Sequence, residues 1–310
     1  MSAKTLNTEL LPDWSRPSLY IHVPLCHSFC SYCDFCSALS LRDPARAKRC
    51  VDRLIEDIED LGLQELPNGV STIFIGGGTP SALGPEQLLR LLDACSRHVR
   101  SVEELSIEIN PDSAGGGLLE ALGAFRHRAL ACGALLPNAR MRLSFGVQSL
   151  FDPSREAVFR SGSAQEIRDV LAQAGRFPHF EISADLIAGL PLQTRDSVLD
   201  DIASLVSLGI SHLSLYALGL EEGSPLGAAV SRGDCVLPSS DELSQWLEAG
   251  ARGLEEAGLY QYEVSNFARP GCMSRHNLRY WQMADWLAVG PSASGTCFDR
   301  DRGSALRTTV

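Results

Sequence analysis

Long apolar runs are missing from this chain. None approaches the ~20 residues that span a bilayer, so no transmembrane helix is expected. The segment Met1 to Arg16 lacks a basic start followed by an apolar core, so no signal peptide is expected and a cytoplasmic setting is. Positive charge is scarce. Lys and Arg number 27 against 38 Asp and Glu, a formal net charge of −11, and no basic cluster offsets it. That balance argues against nucleic acid as the main partner. Internal repeats are absent, and so is low-complexity sequence beyond Ala114-Gly-Gly-Gly117, which reads as a flexible joint. What is present is an ordinary globular balance of 45% hydrophobic and 21% charged residues over 310 positions. That length suits one large α/β barrel or two modest domains. The ten cysteines, in a reducing compartment, read as thiols or metal ligands and not as a disulfide framework.

Short β-type runs alternate with helical patterns, the rhythm of βαβ units around a parallel sheet. The runs are Leu19–Val23, Thr72–Ile75, Leu105–Ile109, Met141–Phe145, Ile182–Ile187 and Leu213–Ala217. They read as apolar and largely buried, as in a parallel sheet covered on its faces. Asp43-Pro44 predicts a helix start, with Ala47, Val51, Leu54, Ile55, Ile58 and Leu61 on one face and Gly62 at its end. Further helices are predicted from Pro85, over Ala164–Ala174 and over Ser197–Leu208. Six such units predict an incomplete (β/α)6 barrel. After about Glu222 the rhythm changes. Ser239 and Glu242 have capping-box spacing, and the tail Tyr260–Val310 reads as loop-rich. The predicted organisation is an N-terminal segment 1–17, a barrel 18–222 and a partial α+β extension 223–310.

Cys26, Cys30 and Cys33 lie within eight residues, just after the first predicted strand. A cubane iron–sulfur cluster takes one thiolate per iron. Three close cysteines can therefore hold three irons and leave the fourth open to a substrate or cofactor. Zinc is the alternative, with His22 or His27 completing a tetrahedron, although zinc favours two-residue gaps between paired cysteines. Other singular residues stand at the C-terminal ends of successive strands, where a parallel barrel meets its ligands. Gly76-Gly-Gly-Thr79 follows the second strand, and its amides could bind a carboxylate or merely form a turn. Glu108 sits between two isoleucines in the third strand, which is costly unless it is paired. Ribose hydroxyls or an internal salt bridge would serve. Gln148 and Ser149 follow the fourth strand, Arg160 comes next, and Asp185 lies in the fifth.

The set Tyr20-Ile-His-Val-Pro-Leu-Cys26…Cys30…Cys33-Asp-Phe, Gly76-Gly-Gly-Thr-Pro-Ser81, Ile107-Glu-Ile-Asn-Pro111, Ser144-Phe-Gly-Val-Gln-Ser149 and Asp185-Leu-Ile-Ala-Gly-Leu-Pro191 resembles the radical S-adenosylmethionine superfamily. More narrowly, it resembles the branch of oxygen-independent coproporphyrinogen III oxidases and the HemW-type haem chaperones. The resemblance runs from about Ser18 to Thr296. It implies that Cys26, Cys30 and Cys33 ligate a [4Fe–4S] cluster whose open iron holds S-adenosylmethionine. It further implies that Tyr20, Tyr32, Gly77, Gly78, Thr79, Glu108, Gln148, Arg160 and Asp185 form the S-adenosylmethionine pocket.

The oxidases carry another cysteine two residues after the third. Here that position is Phe35, with Cys36 one later, so the resemblance leans to the chaperones. Tyr262–Phe267 and Ser274–Trp281 resemble the chaperone segment associated with haem, which implies His276, Asn277, Tyr280 and Trp281 as haem contacts and His276 as an axial ligand. Gly162 and Ser294 stand where the family often has histidine. The stretch 117–140 looks like an insertion, and the chain stops earlier than typical members. The function implied is a haem chaperone that binds haem and delivers it to a haem protein, with flavodoxin or ferredoxin as reductant. An oxygen-independent coproporphyrinogen III oxidase is the alternative, and a zinc-stabilised binding protein is a second. Catalytic residues are not assigned.

Overall fold

The computed structural model describes residues 14–40 and 42–310. In chain order, β1 (Ser18–Val23) leads into a two-residue ladder of β2 (Leu25–Cys26) and β3 (Ala38–Leu39), then α1 (Pro44–Asp60). There follow β4 (Thr72–Gly77), α2 (Gly84–His98), β5 (Val102–Ile109), α3 (Leu118–Ala131), β6 (Leu135–Gln148), α4 (Asp152–Ala157) and α5 (Ala164–Ala174). Next come β7 (Phe180–Ala188), α6 (Arg195–Ser207) and β8 (His212–Ala217). The strands β1, β4, β5, β6, β7 and β8 each pair in parallel with the next, which is the (β/α)6 arrangement expected. Helix starts follow local chemistry. The Asp43 carboxylate accepts from the Ala45 amide at 2.9 Å ahead of Pro44. Reciprocal caps form between Ser163 and Glu166, and between Thr194 and Ser197. Each cap of this kind contributes about 1 kcal/mol.

The remaining elements are α7 (Pro225–Ser231), α8 (Ser240–Glu256), β9 (Tyr260–Gln261), β10 (Asn266–Ala268), α9 (Arg275–Trp281), β11 (Trp286–Val289), β12 (Ser294–Asp299) and β13 (Ser304–Thr309). The tail is thus not the loop-rich segment its mixed composition suggested. Its strands extend the barrel sheet at both edges, giving the order β13-β12-β11-β1-β4-β5-β6-β7-β8-β10-β9. β11 lies parallel beside β1 and β10 antiparallel beside β8. Phe267, Leu254, Leu259 and Val289 join the same hydrophobic core as the barrel strands. The stretch 117–140 holds α3 and the start of β6, and β5 and β6 begin to pair irregularly. Their register jumps from Val102 opposite Leu135 to Glu104 opposite Arg140.

The strands are also less uniformly apolar than they read. Leu19, Ile21, Val23, Ile73, Ile75, Leu105, Ile107, Leu143 and Phe145 are buried on the face that carries the helices. The alternate positions, which period two sends to the barrel interior, include Ser18, His22, Thr72, Glu104, Ser106, Arg142, Ser144, Ser183, His212 and Ser214, all buried and polar, with Tyr20 and Phe74 as half-buried aromatics. Burying polar groups is costly unless they are bonded, and here they bond to one another. Ser183 Oγ lies 2.8 Å from His212 Nδ1, and the other His212 nitrogen reaches the Tyr262 hydroxyl at 2.8 Å.

At the N-terminal end of the barrel, α9 closes the opening. Glu104, fully buried, accepts from the Arg275 amide at 2.9 Å, the His276 amide at 3.0 Å and the Ser274 hydroxyl at 3.2 Å. A carboxylate there meets the unsatisfied amides and the positive end of the α9 backbone. Replacing Glu104 with Ala strands these donors in the interior. E104A is expected to lose about 3 kcal/mol of unfolding free energy in chemical denaturation, at 1–3 kcal/mol per stranded buried group. A loss under about 1 kcal/mol would show that α9 is held by something else.

Candidate functional site

A cavity of about 430 Å³ opens at the C-terminal ends of the barrel strands. It is lined by Cys26, Cys30 and Cys33 together with Tyr32, Gly77, Gly78, Thr79, Glu108, Gln148, Arg160 and Asp185. Residues from the first barrel strand to the fifth therefore share one wall. Tyr20 is not in that lining. Its hydroxyl lies 3.2 Å from His22 Nδ1, deeper in the barrel. Ser149 is fully buried and donates to Asp201 at 2.7 Å, so it supports the strand end instead of facing the cavity. His276, Asn277, Tyr280 and Trp281 lie at the opposite end, on α9. Trp281 is exposed, and His276 is buried with Nδ1 2.8 Å from Thr72 Oγ1 and Nε2 2.8 Å from the Tyr280 hydroxyl.

The cysteine loop is held by backbone bonds that sequence reading does not reveal. The Ser31 amide donates to Val158 O at 3.1 Å, and the Leu226 amide, in α7, donates to Ser31 O at 2.8 Å. The Ser40 amide donates to Cys26 O at 2.7 Å, and His22 Nε2 meets Cys36 O at 2.9 Å. Donors then point at two of the sulfurs. Thr79 Oγ1 lies 3.4 Å from Cys26 Sγ, and Arg160 Nη1 lies 3.4 Å from Cys30 Sγ. Burial pushes the Cys33 thiol up. Among the described residues, no three His, Cys, Asp or Glu side chains gather tightly enough to hold one metal ion. A zinc site gathers its ligands at ~2.0–2.3 Å around a single ion. Cys26, Cys30 and Cys33 all line the cavity, and in a cluster each sulfur would meet a different iron.

Arg160 is placed by its surroundings. Its Nη2 donates to Asn110 Oδ1 at 2.6 Å and to Gly146 O, and a side chain at Gly146 would stand 2.9 Å from that nitrogen. The buried Arg155 shapes the preceding turn, donating to Val147 O at 2.7 Å, Ser149 O at 2.8 Å and Gly162 O at 2.9 Å. Within that clamp Gln148 takes φ of 68°, in the left-handed region, where β6 slips register against β7. A non-glycine residue held there stores strain, and such residues cluster at functional sites. Asn110, Ser144, Gly146 and Tyr216 also line the cavity; the first three stand in motifs quoted from the sequence but were given no role there, and Tyr216 was not singled out.

Glu108 is strongly perturbed. Burial first, and the neighbouring Asp185 carboxylate second, push its carboxyl up to about 8, against a partial offset from the Gly77 amide. That amide donates to Glu108 Oε2 at 3.1 Å, and the Gly78 amide donates to Val23 O at 2.8 Å. Two of the amides considered for an incoming carboxylate are thus already engaged. Gly77 has φ of +106°, and any side chain would meet the His22 ring at 2.7 Å, so only glycine can present that amide to Glu108. Asp185 is likewise pushed up by burial, while Ser214 and Ser144 hydrogen bonds hold it back. Ser144 Oγ approaches it to 3.2 Å.

The model of the radical SAM superfamily matches residues 20–205. The chain is 36% identical over 299 residues to bovine radical S-adenosyl methionine domain-containing protein 1, mitochondrial, covering 96% of this chain and 64% of that protein. It is 33% identical over 294 residues to the heme chaperone HemW of Escherichia coli, covering 94% of this chain and 73% of that one. A solved structure of Escherichia coli coproporphyrinogen III oxidase, HemN, described as a radical SAM enzyme, superposes with a TM-score of 0.73 at 25% identity. That match covers 92% of this chain and 66% of the other. The chain therefore spans somewhat under two thirds of the length of the bovine relative. No helix among the described residues is long and apolar enough to cross a membrane.

The raised Glu108 carboxyl predicts a pH-dependent penalty. A carboxyl raised on folding contributes its full stability below its unfolded value, here 4.5, and loses it as pH rises through about 8. A glutamine at this position cannot ionise. E108Q is therefore expected to melt with the parent at pH near 4.5 and increasingly above it toward pH 8 to 9. Melting curves of ligand-free protein across that range check this, and a gap that stays constant with pH contradicts it.

Proposed function

Because this chain belongs to the radical S-adenosylmethionine superfamily, within the branch that holds the HemW haem chaperones, we propose that the cavity binds a [4Fe–4S] cluster and S-adenosylmethionine in the service of haem handling. The observation that carries this reading is the single wall shared by Cys26, Cys30, Cys33, Glu108, Arg160 and Asp185. Cys26, Cys30 and Cys33 would each hold one iron. When bound, the cluster supplies one electron for cleaving the sulfonium of S-adenosylmethionine. The chain's own groups do the rest. Thr79 and Arg160 donate toward Cys26 and Cys30, and hydrogen bonds to cluster sulfur are a recognised means of setting its potential. The Arg160 Nε is buried with no protein partner, a donor left over for a bound acceptor. Glu108 and Asp185, both half-buried and pushed toward the protonated form, gain by accepting from ribose hydroxyls, which return the hydrogen bonds that burial removed. The recessed cavity limits water at the reacting centre.

Haem handling, rather than oxidation, is favoured by Phe35. It lines the cavity, exposed, at the position where the resembled oxidases place a further cysteine. The oxidase reading, hydrogen abstraction from the propionates of coproporphyrinogen III, has its own support in the likeness to HemN. Flavodoxin or ferredoxin as reductant, a haem-accepting protein as recipient and a cytoplasmic setting belong to the same proposal.

Anaerobic reconstitution is expected to load about four irons and four sulfides per chain. Cys26→Ala, Cys30→Ala or Cys33→Ala should abolish the charge-transfer absorption, whereas Cys36→Ala should retain it, since Cys36 is exposed and outside the cavity lining. Zinc uptake without that absorption would sink the cluster reading. Haem added to the same protein should develop a Soret shift. Assayed beside it with coproporphyrinogen III and S-adenosylmethionine under reducing conditions, the protein should form no protoporphyrinogen, and product formation would move the function to the oxidase.

A further inference from the structure

We infer that the segment His276–Tyr280 is a positioning device for the cavity, a buried lock beneath the barrel that sets Glu108 through Phe74, and that His276 is not a ligand. The resemblance assigned this segment to haem. Its geometry points elsewhere. The His276 ring is 1% exposed, at the end of the barrel remote from the cysteine loop. Thr72 Oγ1 donates to Ser18 Oγ at 2.9 Å, so toward His276 it accepts, and the proton of the imidazole sits on Nδ1. The Nε2 lone pair is then taken by the Tyr280 hydroxyl. Neither nitrogen is left for iron, and burial together with Arg279 pushes the imidazolium form down to about 3. An axial ligand would need the ring withdrawn and two interior hydrogen bonds broken.

The same ring supports the cavity. His276 packs against Phe74 with centroids 5.3 Å apart, and Tyr20 packs on Phe74 at 6.1 Å. The space over Gly76 is shared from below and above. A side chain there would meet Phe74 Cε1 at 2.7 Å and the Glu108 carboxyl at 2.8 Å. Phe74 and Glu108 thus border the same space over Gly76, and the His276 ring packs against Phe74. The backbone of the segment is anchored in turn, by Glu104 at its start. Thr72 thus bonds His276, His276 packs on Phe74, and Phe74 shares with Glu108 the space over Gly76.

This inference rests on the proposed role of Glu108, so its test reads Glu108 both with and without ligand. Thr72→Val removes the Nδ1 partner from a strand outside the segment, and Thr72→Ser keeps the hydroxyl. Tyr280→Phe removes the Nε2 partner, and the exposed Trp281→Ala serves as control. In ligand-free protein, Thr72→Val and Tyr280→Phe should each lower the melting temperature and shrink its change between pH 4.5 and pH 8, because a loosened Glu108 relaxes toward solvent. Thr72→Ser should restore both. In the reconstituted protein the first two should weaken S-adenosylmethionine binding about threefold or more, with haem titration unchanged. Trp281→Ala should move none of these. A Thr72→Val protein with parental pH-dependent melting overturns the inference, as does a Tyr280→Phe protein that loses haem while keeping its affinity for S-adenosylmethionine. A parent that binds no S-adenosylmethionine refutes the proposed function alone. The ligand-free melting series still decides the lock.

Discussion

A barrel whose inner face is polar must satisfy every inward group or seal the space around it, and that constraint organises this molecule. The helix-facing residues of the strands form an ordinary apolar core, worth roughly 25 cal/mol per Å² buried. The inward residues gain nothing comparable. Ser18, Thr72, Glu104, Arg142, Ser183 and His212 persist inside because each finds a hydrogen-bond partner on a neighbouring strand or in the tail. The partner is often the tail. Glu104, Arg142, His212 and Thr72 all bond to residues between 262 and 280. Without those residues the barrel floor would hold several stranded donors and acceptors, each costing about 1–3 kcal/mol.

The upper end of the barrel is left incompletely satisfied beside the cavity. Below, Glu104 takes up a full set of donors and His276 has both nitrogens bonded. Above, Glu108 has one amide donor and a neighbouring carboxylate that opposes its charge. Arg160 keeps an unbonded buried Nε, and Gln148 holds a strained backbone. Strain at Gln148 and an unbonded buried donor on Arg160, both beside the cavity, mark where a ligand completes the structure.

Much of this was legible in the chain. All six barrel strands fall where apolar runs were read, and Asp43-Pro44 and Ser239 start helices through the capping chemistry their spacing announces. The cavity was legible because strand ends in a parallel barrel converge, so Cys26, Gly77, Glu108 and Asp185 could be gathered without coordinates. Three things were not. The tail reads as loops because its strands are short and pair at the edges of a sheet whose partners are remote in sequence, as with Ser18 and Trp286. Arg155 looks like any surface arginine on a short helix until its guanidinium is seen wrapping the carbonyls of Val147, Ser149 and Gly162. The orientation of His276 is set by Thr72, a residue 204 positions away, which no local pattern connects to it.

That last pairing changes what a motif match carries. Side chains that look like ligands in sequence, an imidazole followed by a phenol and an indole, are equally good at filling and bonding a polar interior. Which role they take depends on whether a partner reaches them first. For His276 two protein hydroxyls do, at 2.8 Å each, and both bonds lie where water cannot compete for them. Exchanging them for one iron bond would expose two buried hydroxyls and unseat Phe74, so the iron would have to offset the loss of the barrel floor as well as its own coordination. Trp281, exposed on the same helix, carries no such cost. A flat apolar ligand meeting this end of the molecule would therefore meet the indole first and leave the imidazole in place.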